Sequence, residues 1–330
     1  LNDAFKRVFN FDPPTKTGLD VVHSIKAMHE EKASVFVALG GNFLSAVSDT
    51  IYCGEALQKC DLTVSVSTKL NRTHLVHGQT SLILPTLGRT EKDQRDGKLR
   101  FVTVENSMGR VHRSKGNLRP SSDQLLSEPE IVTGIAQAFF GEASSIPWAT
   151  LGKDYDLIRQ KISEVFDGFD QYTERSAHSG FDLPNHVRAS DFEKMPGGRA
   201  QFSICKLGVN RLKKDEFLLT TIRSHDQFNT TIYGMDDRYR GIYNERRVLF
   251  MNAVDMSTHQ LQKRDLVNMV SNYNNVLRQA ERFVVVPYDI PQGNLAAYFP
   301  ETNVLIPHDQ FADKSQTPIS KSVVVKVVKQ

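Results

Sequence analysis

Cysteine is scarce in this sequence: Cys53, Cys60 and Cys205 are the three in 330 residues, and they form neither a CxxC pair nor a four-cysteine pattern. That spacing excludes a cysteine-built iron–sulfur cluster or structural zinc and leaves three small hydrophobic thiols suited to a reducing compartment. A long apolar run is missing too, and nothing approaches the roughly 18 residues of a membrane-spanning helix. Charge of one sign is also lacking. The 41 basic and 38 acidic residues are mixed along the chain and leave a formal charge of +3, so no basic arm points to nucleic acid. The opening "LNDAFKRVFNFDPP" has neither the basic start nor the apolar core of a signal peptide. The expectation is a cytoplasmic protein without membrane or nucleic-acid partners. Because the first residue is Leu1, the chain is expected to belong to something longer. Internal repeats and low-complexity tracts are absent.

What is present is enough apolar sequence for two cores: 39% of residues are hydrophobic and 24% charged. The first part alternates helix and strand. "LDVVHSIKAMHEE" places Val21, Val22, Ile25 and Met28 at helical spacing, and "SVFVAL" is a short continuous apolar run, the mark of a strand covered on both faces. Leu44, Val47 and Ile51 recur at helical spacing, and "DLTVSVS" supplies the next strand, so Ser34 to Ser67 reads as one βαβ unit with a right-handed crossover. "SLILP" and "RFVTVE" read as further strands, and "EPEIVTGIAQAFFG" and "DYDLIRQKISEVF" as helices with Ile131, Ile135, Phe139 and Tyr155, Ile158, Ile162, Val165 on their apolar faces. Residues 1–168 are therefore predicted to be an α/β domain with a mainly parallel sheet. Periodicity fades over 169–208, a predicted connector. From 209 to 330 the grammar changes to short β-branched runs, "EFLLTTIR", "RVLFMNAVDM", "LVNMVSN", "RFVVVPYDI" and "SKSVVVKVVK", which predict an all-β barrel or sandwich.

The turn in "FVALGGNFLSAVSDT" stands where a strand hands over to a helix. There, free backbone N–H groups and the helix dipole favour an anion. Gly40 and Gly41 let the backbone turn sharply and let a ligand approach, and Asn42 can cap the helix or bond the ligand. "GGN" is not the GxGxxG fingerprint, and no acidic residue ends the following strand to grip a ribose, so a plain glycine-rich connector is the other reading of the turn. His74 and His77 lack a third ligand at metal spacing and read as loop histidines. Asp236 and Asp237 in "MDDRYRG" could be a carboxylate pair for acid–base chemistry, but flanking Arg238 and Arg240 favour a solvated turn. No Ser/His/Asp or Cys/His arrangement emerges from spacing.

Taken as a series, "VFVALGGNFLSAVSDT", "STKLNRTHLVHGQTSLILPTLGRTEKD", "VTVENSMGRVHRSKGNL", "LLTTIRSHDQFNTTIYGMDDRYRG", "QGNLAAYFPETNVLIP" and "TPISKSVVVKVV" resemble the molybdopterin-dependent oxidoreductases of the dimethyl-sulfoxide-reductase superfamily, and within it the formate-dehydrogenase-like branch. The resemblance implies the carboxyl-terminal half of such an enzyme. Its two domains would be a Rossmann-like unit binding molybdopterin guanine dinucleotide and a six-stranded β-barrel, of the double-psi type, closing over the cofactor. Metal ligand, iron–sulfur cluster and most substrate contacts would lie in the missing amino-terminal half, the expected partner. No catalytic or metal-binding residue is then expected here, and this part alone should be inactive. A nitrate or sulfoxide reductase sibling, or a non-catalytic nucleotide- or partner-binding module, is the alternative.

Matched by motif, Gly40, Gly41 and Asn42 would sit at the dinucleotide's phosphates. Lys69, Asn71 and Thr73 occupy the stretch that meets the guanosine end, although the family often has an acidic residue near Lys69. Glu105, Asn106 and Gly109 match a loop near the pterin. Arg223, Ser224, Gln227 and Asn229 match a "TxRxxxQxN" loop reaching pterin and phosphates, and Gln292, Gly293, Asn294 and Lys321 match later cofactor-facing loops. Arginine and lysine as charge-assisted donors, and asparagine and glutamine as paired donor and acceptor, suit such a ligand.

Overall fold

The computed structural model describes residues 1–193, 195–205, 208 and 212–330; the boundary expected at residue 209 lies outside the described residues. The chain forms two compact units. One is assembled from Gly18–Ser65, Leu70–Ile83 and Gly208–Gln330, the other from Leu1–Thr17, Val66–Lys69 and Leu84–Leu207.

The first of these units opens with helix α1 (Val21–His29), whose start is capped by the Asp20 carboxylate accepting from the amides of Val22 and His23 at 2.9 and 3.1 Å. Strand β1 (Val35–Leu39) follows, then the one-turn helix α2 (Phe43–Ala46), helix α3 (Thr50–Gln58), β2 (Leu62–Ser67) and β3 (Thr80–Pro85), with the strands side by side in the order β1-β2-β3. Ile25, Met28, Leu44, Cys53, Ala56 and Leu57 form the helix core, with Phe36 of β1 packed against it. Two expectations change here. The single helix through Leu44, Val47 and Ile51 is broken, because Val47 is extended and Asp49 takes a left-handed conformation (φ 51°), and Ile51 is exposed. Nor is β1 covered on both faces: alternation sends Phe36 to the helices and leaves Val35, Val37 and Leu39 56, 53 and 54% exposed.

The remainder of this unit is a closed six-stranded barrel. Its strands are β4 (Phe217–Ile222), β5 (Val248–Met251), β6 (Leu266–Tyr273), β7 (Val276–Pro287), β8 (Asn294–Tyr298) and β9 (Val323–Lys329), in the spatial order β5-β7-β6-β9-β4-β8. The pairs β5/β7 and β4/β8 run parallel, and the other four are antiparallel. The run "EFLLTTIR" supplies a wall of this barrel: Phe217, Leu219 and Thr221 point inward, and Val323 and Val325 do the same in β9. The core includes Leu219, Leu249, Met251, Val267, Met269, Val285 and Leu295, all fully buried, and each such side chain contributes about 1.5–3 kcal/mol relative to exposure. "RVLFMNAVDM" is not strand throughout, since Asn252 caps a short helix at Ala253–Thr258.

In the other unit, "RFVTVE" does not extend a parallel sheet. Val102–Glu105 pairs antiparallel with Arg110–Ser114, which pairs antiparallel with Phe181–Asp182. The mainly parallel, Rossmann-like arrangement predicted for this half is therefore not what these strands build. The stretch read as a connector contributes structure too: Tyr172, in a helix at Tyr172–Ala177, and Phe181 join Val111 in a small core. Ser127 and Glu130 form the capping box of helix Glu128–Phe140 as its sequence predicts, but of the expected apolar face Ile131 is buried while Ile135 and Phe139 are exposed. Glu130 accepts from Arg95 and, with Asp93, pairs with buried Arg100. Desolvation opposes ionisation there, yet the two arginines and the Ser127 amide hold the Glu130 pKa down to about 2.

Candidate functional site

β1 delivers the chain into Gly40 and Gly41 at φ 69° and 73°, a left-handed pair that explains the two glycines. A Cβ built on Gly41 would meet no atom within 4 Å, so conformation rather than crowding selects glycine, and the outer side of the turn is open. The fastening of this turn comes from another loop. Asn71 donates from Nδ2 to the Gly41 carbonyl at 2.9 Å, and its Oδ1 accepts from the Thr73 amide at 3.0 Å. Thr73 Oγ1 accepts from the Leu44 amide at 3.0 Å and donates to Asn42 Oδ1 at 3.4 Å. Thr73, not Asn42, therefore caps α2, and the Asn42 side chain makes no cap bond. His74 belongs to this scaffold as well, its Nδ1 accepting from the Asn71 amide at 3.0 Å. The structure thus brings Gly40, Gly41, Asn42, Asn71 and Thr73 together. Lys69 is exposed and falls in the other unit.

Glu105, Asn106 and Gly109 also lie in that other unit, at the hairpin between Val102–Glu105 and Arg110–Ser114. Asn106 Oδ1 accepts from the amides of Met108 and Arg110 at 2.9 and 3.2 Å, and Gly109 sits at φ 77°. These two residues are explained by turn geometry; Glu105 is exposed.

At the barrel, β4 ends at Ile222 and opens into the loop carrying Arg223, Ser224, Gln227 and Asn229. Ser224 and Gln227 face inward. Gln227 Oε1 accepts from the Ser224 amide at 3.0 Å, and its Nε2 donates to the carbonyls of Asn229 and Phe299 at 2.8 and 2.7 Å. Both side chains meet a residue that sequence reading missed, buried Arg246, which donates to Ser224 Oγ at 2.6 Å, Gln227 Oε1 at 3.0 Å, the Phe299 carbonyl at 2.8 Å and both oxygens of Glu301 at 2.8 and 3.0 Å. Its guanidinium also lies 4.7 Å from the Tyr298 ring centroid. An arginine just before the wholly apolar run "VLFM" was the available signal; no spacing links it to Glu301, 55 residues on.

The solvated turn expected at "MDDRYRG" holds for Asp236, Arg238 and Tyr239, which are exposed, but not for Asp237. Asp237 is 1% exposed; its Oδ2 accepts from the Tyr298 hydroxyl at 2.9 Å and from Arg240 at 2.5 Å, while its Oδ1 is buried without a hydrogen-bond partner. Burial, with the Asp237 carboxylate beside it, pushes the Tyr298 phenol up. Asp236 accepts from the Asn244 amide at 2.7 Å.

The outer rim is different in kind. Arg223 is exposed, donates to Asn229 Oδ1 at 2.8 Å and lines an open concavity of about 430 Å³ with His225 and Tyr239. Lys321 donates to the Thr221 carbonyl. Although that side chain is exposed as a whole, partial desolvation and then the nearby positive charge of Arg223 push its ammonium pKa down. Among the described residues neither cation has a carboxylate partner. Gln292, Gly293 and Asn294 are not beside them. Asn294 pairs with Leu218 and Tyr298 with Ile222, so Asn294 lies at the start of β4, whereas Arg223 follows its end. Gly293, at φ 76°, instead donates its amide to Asp255 at 2.8 Å. A cleft of about 440 Å³ in the same unit is lined in part by Ser45, Thr50, Arg72, Arg247, Gln279 and Glu301, so it borders both the loop that fastens the glycine turn and the Arg246 network.

Residues 217–324 match the family described as Molydopterin dinucleotide binding domain, which is the barrel from β4 into β9. The barrel thus carries a molybdopterin dinucleotide-binding domain. Over 98% of its length the chain is 46% identical to a protein of Mycobacterium tuberculosis named as an uncharacterised oxidoreductase, and covers 42% of that protein. It is 38% identical to protein YdeP of Escherichia coli over 97% of its length, covering 43% of it. Acetylene hydratase from Pelobacter acetylenicus shares the fold, with a TM-score of 0.57 at 14% identity over 100% of this chain and 49% of the hydratase. The chain spans less than half the length of these relatives.

Proposed function

We propose that the chain is the cofactor-binding, carboxyl-terminal part of a molybdopterin guanine dinucleotide-dependent oxidoreductase of the formate-dehydrogenase-like kind. The rest of the protein would supply the metal ligand and most of the substrate contacts. The observation that carries this reading is the Arg223 and Lys321 pair: two neighbouring cations without a carboxylate partner among the described residues, at the rim of a dinucleotide-binding barrel. Such a pair costs free energy until an anion arrives.

The donor set fits the group. Arg223 offers a planar fork for a phosphate or a polar ring edge, and Asn229 an amide beside it. Lys321 supplies a second positive charge, and an anion bound there would raise its depressed pKa and so bind more tightly as the ammonium is fully protonated. In the same unit Gly41 leaves open space beyond the end of β1, where backbone can approach a phosphate. When bound, the cofactor and its metal supply the redox chemistry; this chain's residues bind, orient and neutralise it.

In the full-length protein, Arg223→Ala is expected to weaken cofactor retention by roughly 10- to 150-fold, the equivalent of one charge-assisted hydrogen bond, while leaving the melting temperature nearly unchanged. Arg223→Lys should recover part of the loss. Full cofactor content in Arg223→Ala would overturn the assignment. Turnover of nitrate or a sulfoxide in place of formate would move the protein to a sibling activity, and retention without any turnover would make it a binding module.

A further inference from the structure

The 223–229 loop is gripped from beneath by a polar network, and one member of that network stands out as poorly suited to stabilising the fold. Asp237 is buried, yet only its Oδ2 is used; Oδ1 has no donor. A buried carboxylate oxygen left unpaired destabilises the native state, so its presence asks for another reason. The reason lies in what Oδ2 holds. It anchors Arg240 at 2.5 Å, and the same Arg240 Nη1 donates to the Arg223 carbonyl at 3.3 Å. Tyr298, fully buried on β8, fixes Asp237 in turn through its hydroxyl at 2.9 Å. Asp237 and Ile242 exchange backbone bonds at 2.8 and 3.1 Å, so the carboxylate cannot follow a moving loop.

We propose that Asp237 is a positioning residue for the cofactor rim: through Arg240 it fixes the backbone of Arg223, so that the guanidinium and its Asn229 partner meet the ligand already in place. This rests on the reading of Arg223 as a cofactor contact. A residue pinned before binding loses less freedom on binding, which is where the gain in affinity arises.

The test is a double-mutant cycle in the full-length protein, reading bound cofactor and its rate of loss on dilution. Asp237→Asn keeps the size and an acceptor for Tyr298 while removing the charge that holds Arg240. It is expected to lower retention on the order of tenfold, within the range measured for residues coupled through a shared network. Combined with Arg223→Ala it should cost no more than Arg223→Ala alone. Hydrogen exchange at residues 223–229 should speed up in Asp237→Asn without cofactor present. Arg278→Lys, which loosens the buried Asp49 pair elsewhere in the same unit, should leave retention unchanged when compared at equal distance below its melting temperature. Additive losses would show that Asp237 acts only on general stability, and undiminished retention in Asp237→Asn would overturn the proposal directly. Should Asp237→Asn fail to fold, Tyr298→Phe, which removes one hydroxyl from the same carboxylate, is judged by the same criteria. If Arg223→Ala alone leaves retention unchanged, the rim assignment itself has failed and this inference falls with it. A loss in Arg223→Ala without one in Asp237→Asn overturns the positioning role while leaving the cofactor reading intact.

Discussion

On the inner side of the 223–229 loop, Arg246 is enclosed by Glu301, Ser224, Gln227 and the Phe299 carbonyl, and Arg240 is paired with Asp237. On the outer side, Arg223 donates to Asn229 Oδ1 and Lys321 to the Thr221 carbonyl, and among the described residues neither has a carboxylate partner. The inner cations each have a carboxylate partner; among the described residues the outer ones have none. All four are cations, so the difference lies in the accounting of charge. An arginine whose partners are all protein groups holds the fold, and one left short of an anion is set to receive one.

Breaking the inner side should therefore have the largest effect on stability. Arg246→Ala strands Glu301 and leaves Ser224 and Gln227 short of a donor, and about 3–5 kcal/mol of unfolding free energy should be lost, as for other half-removed buried pairs, measured by denaturant unfolding. A loss as small as that of an exposed pair, about 0–1 kcal/mol, would erase the distinction between the two sides.

The glycine turn sharpens the same contrast. Gly41→Val forces a β-branched residue to φ 73° with no compensating contact, and about 1–3 kcal/mol should be lost together with cofactor binding. Gly41→Asn tolerates the left-handed conformation and should restore most of the stability. If it restores cofactor content as well, the turn needs only its shape; if content stays low, the ligand occupies the space that a side chain would fill.

The smallest effect concerns pH. His308 is buried, donates from Nε2 to the Val22 carbonyl at 2.8 Å, and its pKa is pushed down chiefly by burial. Its folded pKa lies below the unfolded value near 6.5, so the unfolded chain binds the proton more readily and stability should fall as pH drops below that value. His308→Gln is expected to flatten this acid slope in thermal melts between pH 7 and 5.

Much of the barrel could be read in the sequence, because its strands announce themselves as short runs: β-branched and apolar residues in Phe217–Ile222 and Val323–Lys329, and a solid apolar run in Val248–Met251. The loop motif was legible for the same local reason, as polar residues crowding after a strand. What escaped depends on partners far along the chain. Asp237 looked solvated because its flanking arginines were visible and Tyr298, 61 residues on, was not. The break before Thr50 was hidden because Asp49 turns away to Arg278, and Asn42 looked like a cap because Thr73, 31 residues on, was not in view. Local chemistry predicts elements; it does not predict which of two competing partners a polar side chain takes.

The Asp49–Arg278 pair joins positions 229 residues apart, at 2.7 Å and almost wholly buried. During synthesis that separation becomes a waiting time. α1 to α3 emerge early with an aspartate that has no counterion and with a strand whose apolar side is open, while more than two hundred residues must follow before Arg278 exists. At about 5–20 residues per second the delay is on the order of ten seconds or more. Such a unit cannot be completed piece by piece as it leaves the ribosome, and its first segment depends on slow, long-range closure of the kind that favours aggregation when crowded. Expression at low temperature or with abundant chaperones should thus raise the yield of folded protein far more than any change made to the barrel itself.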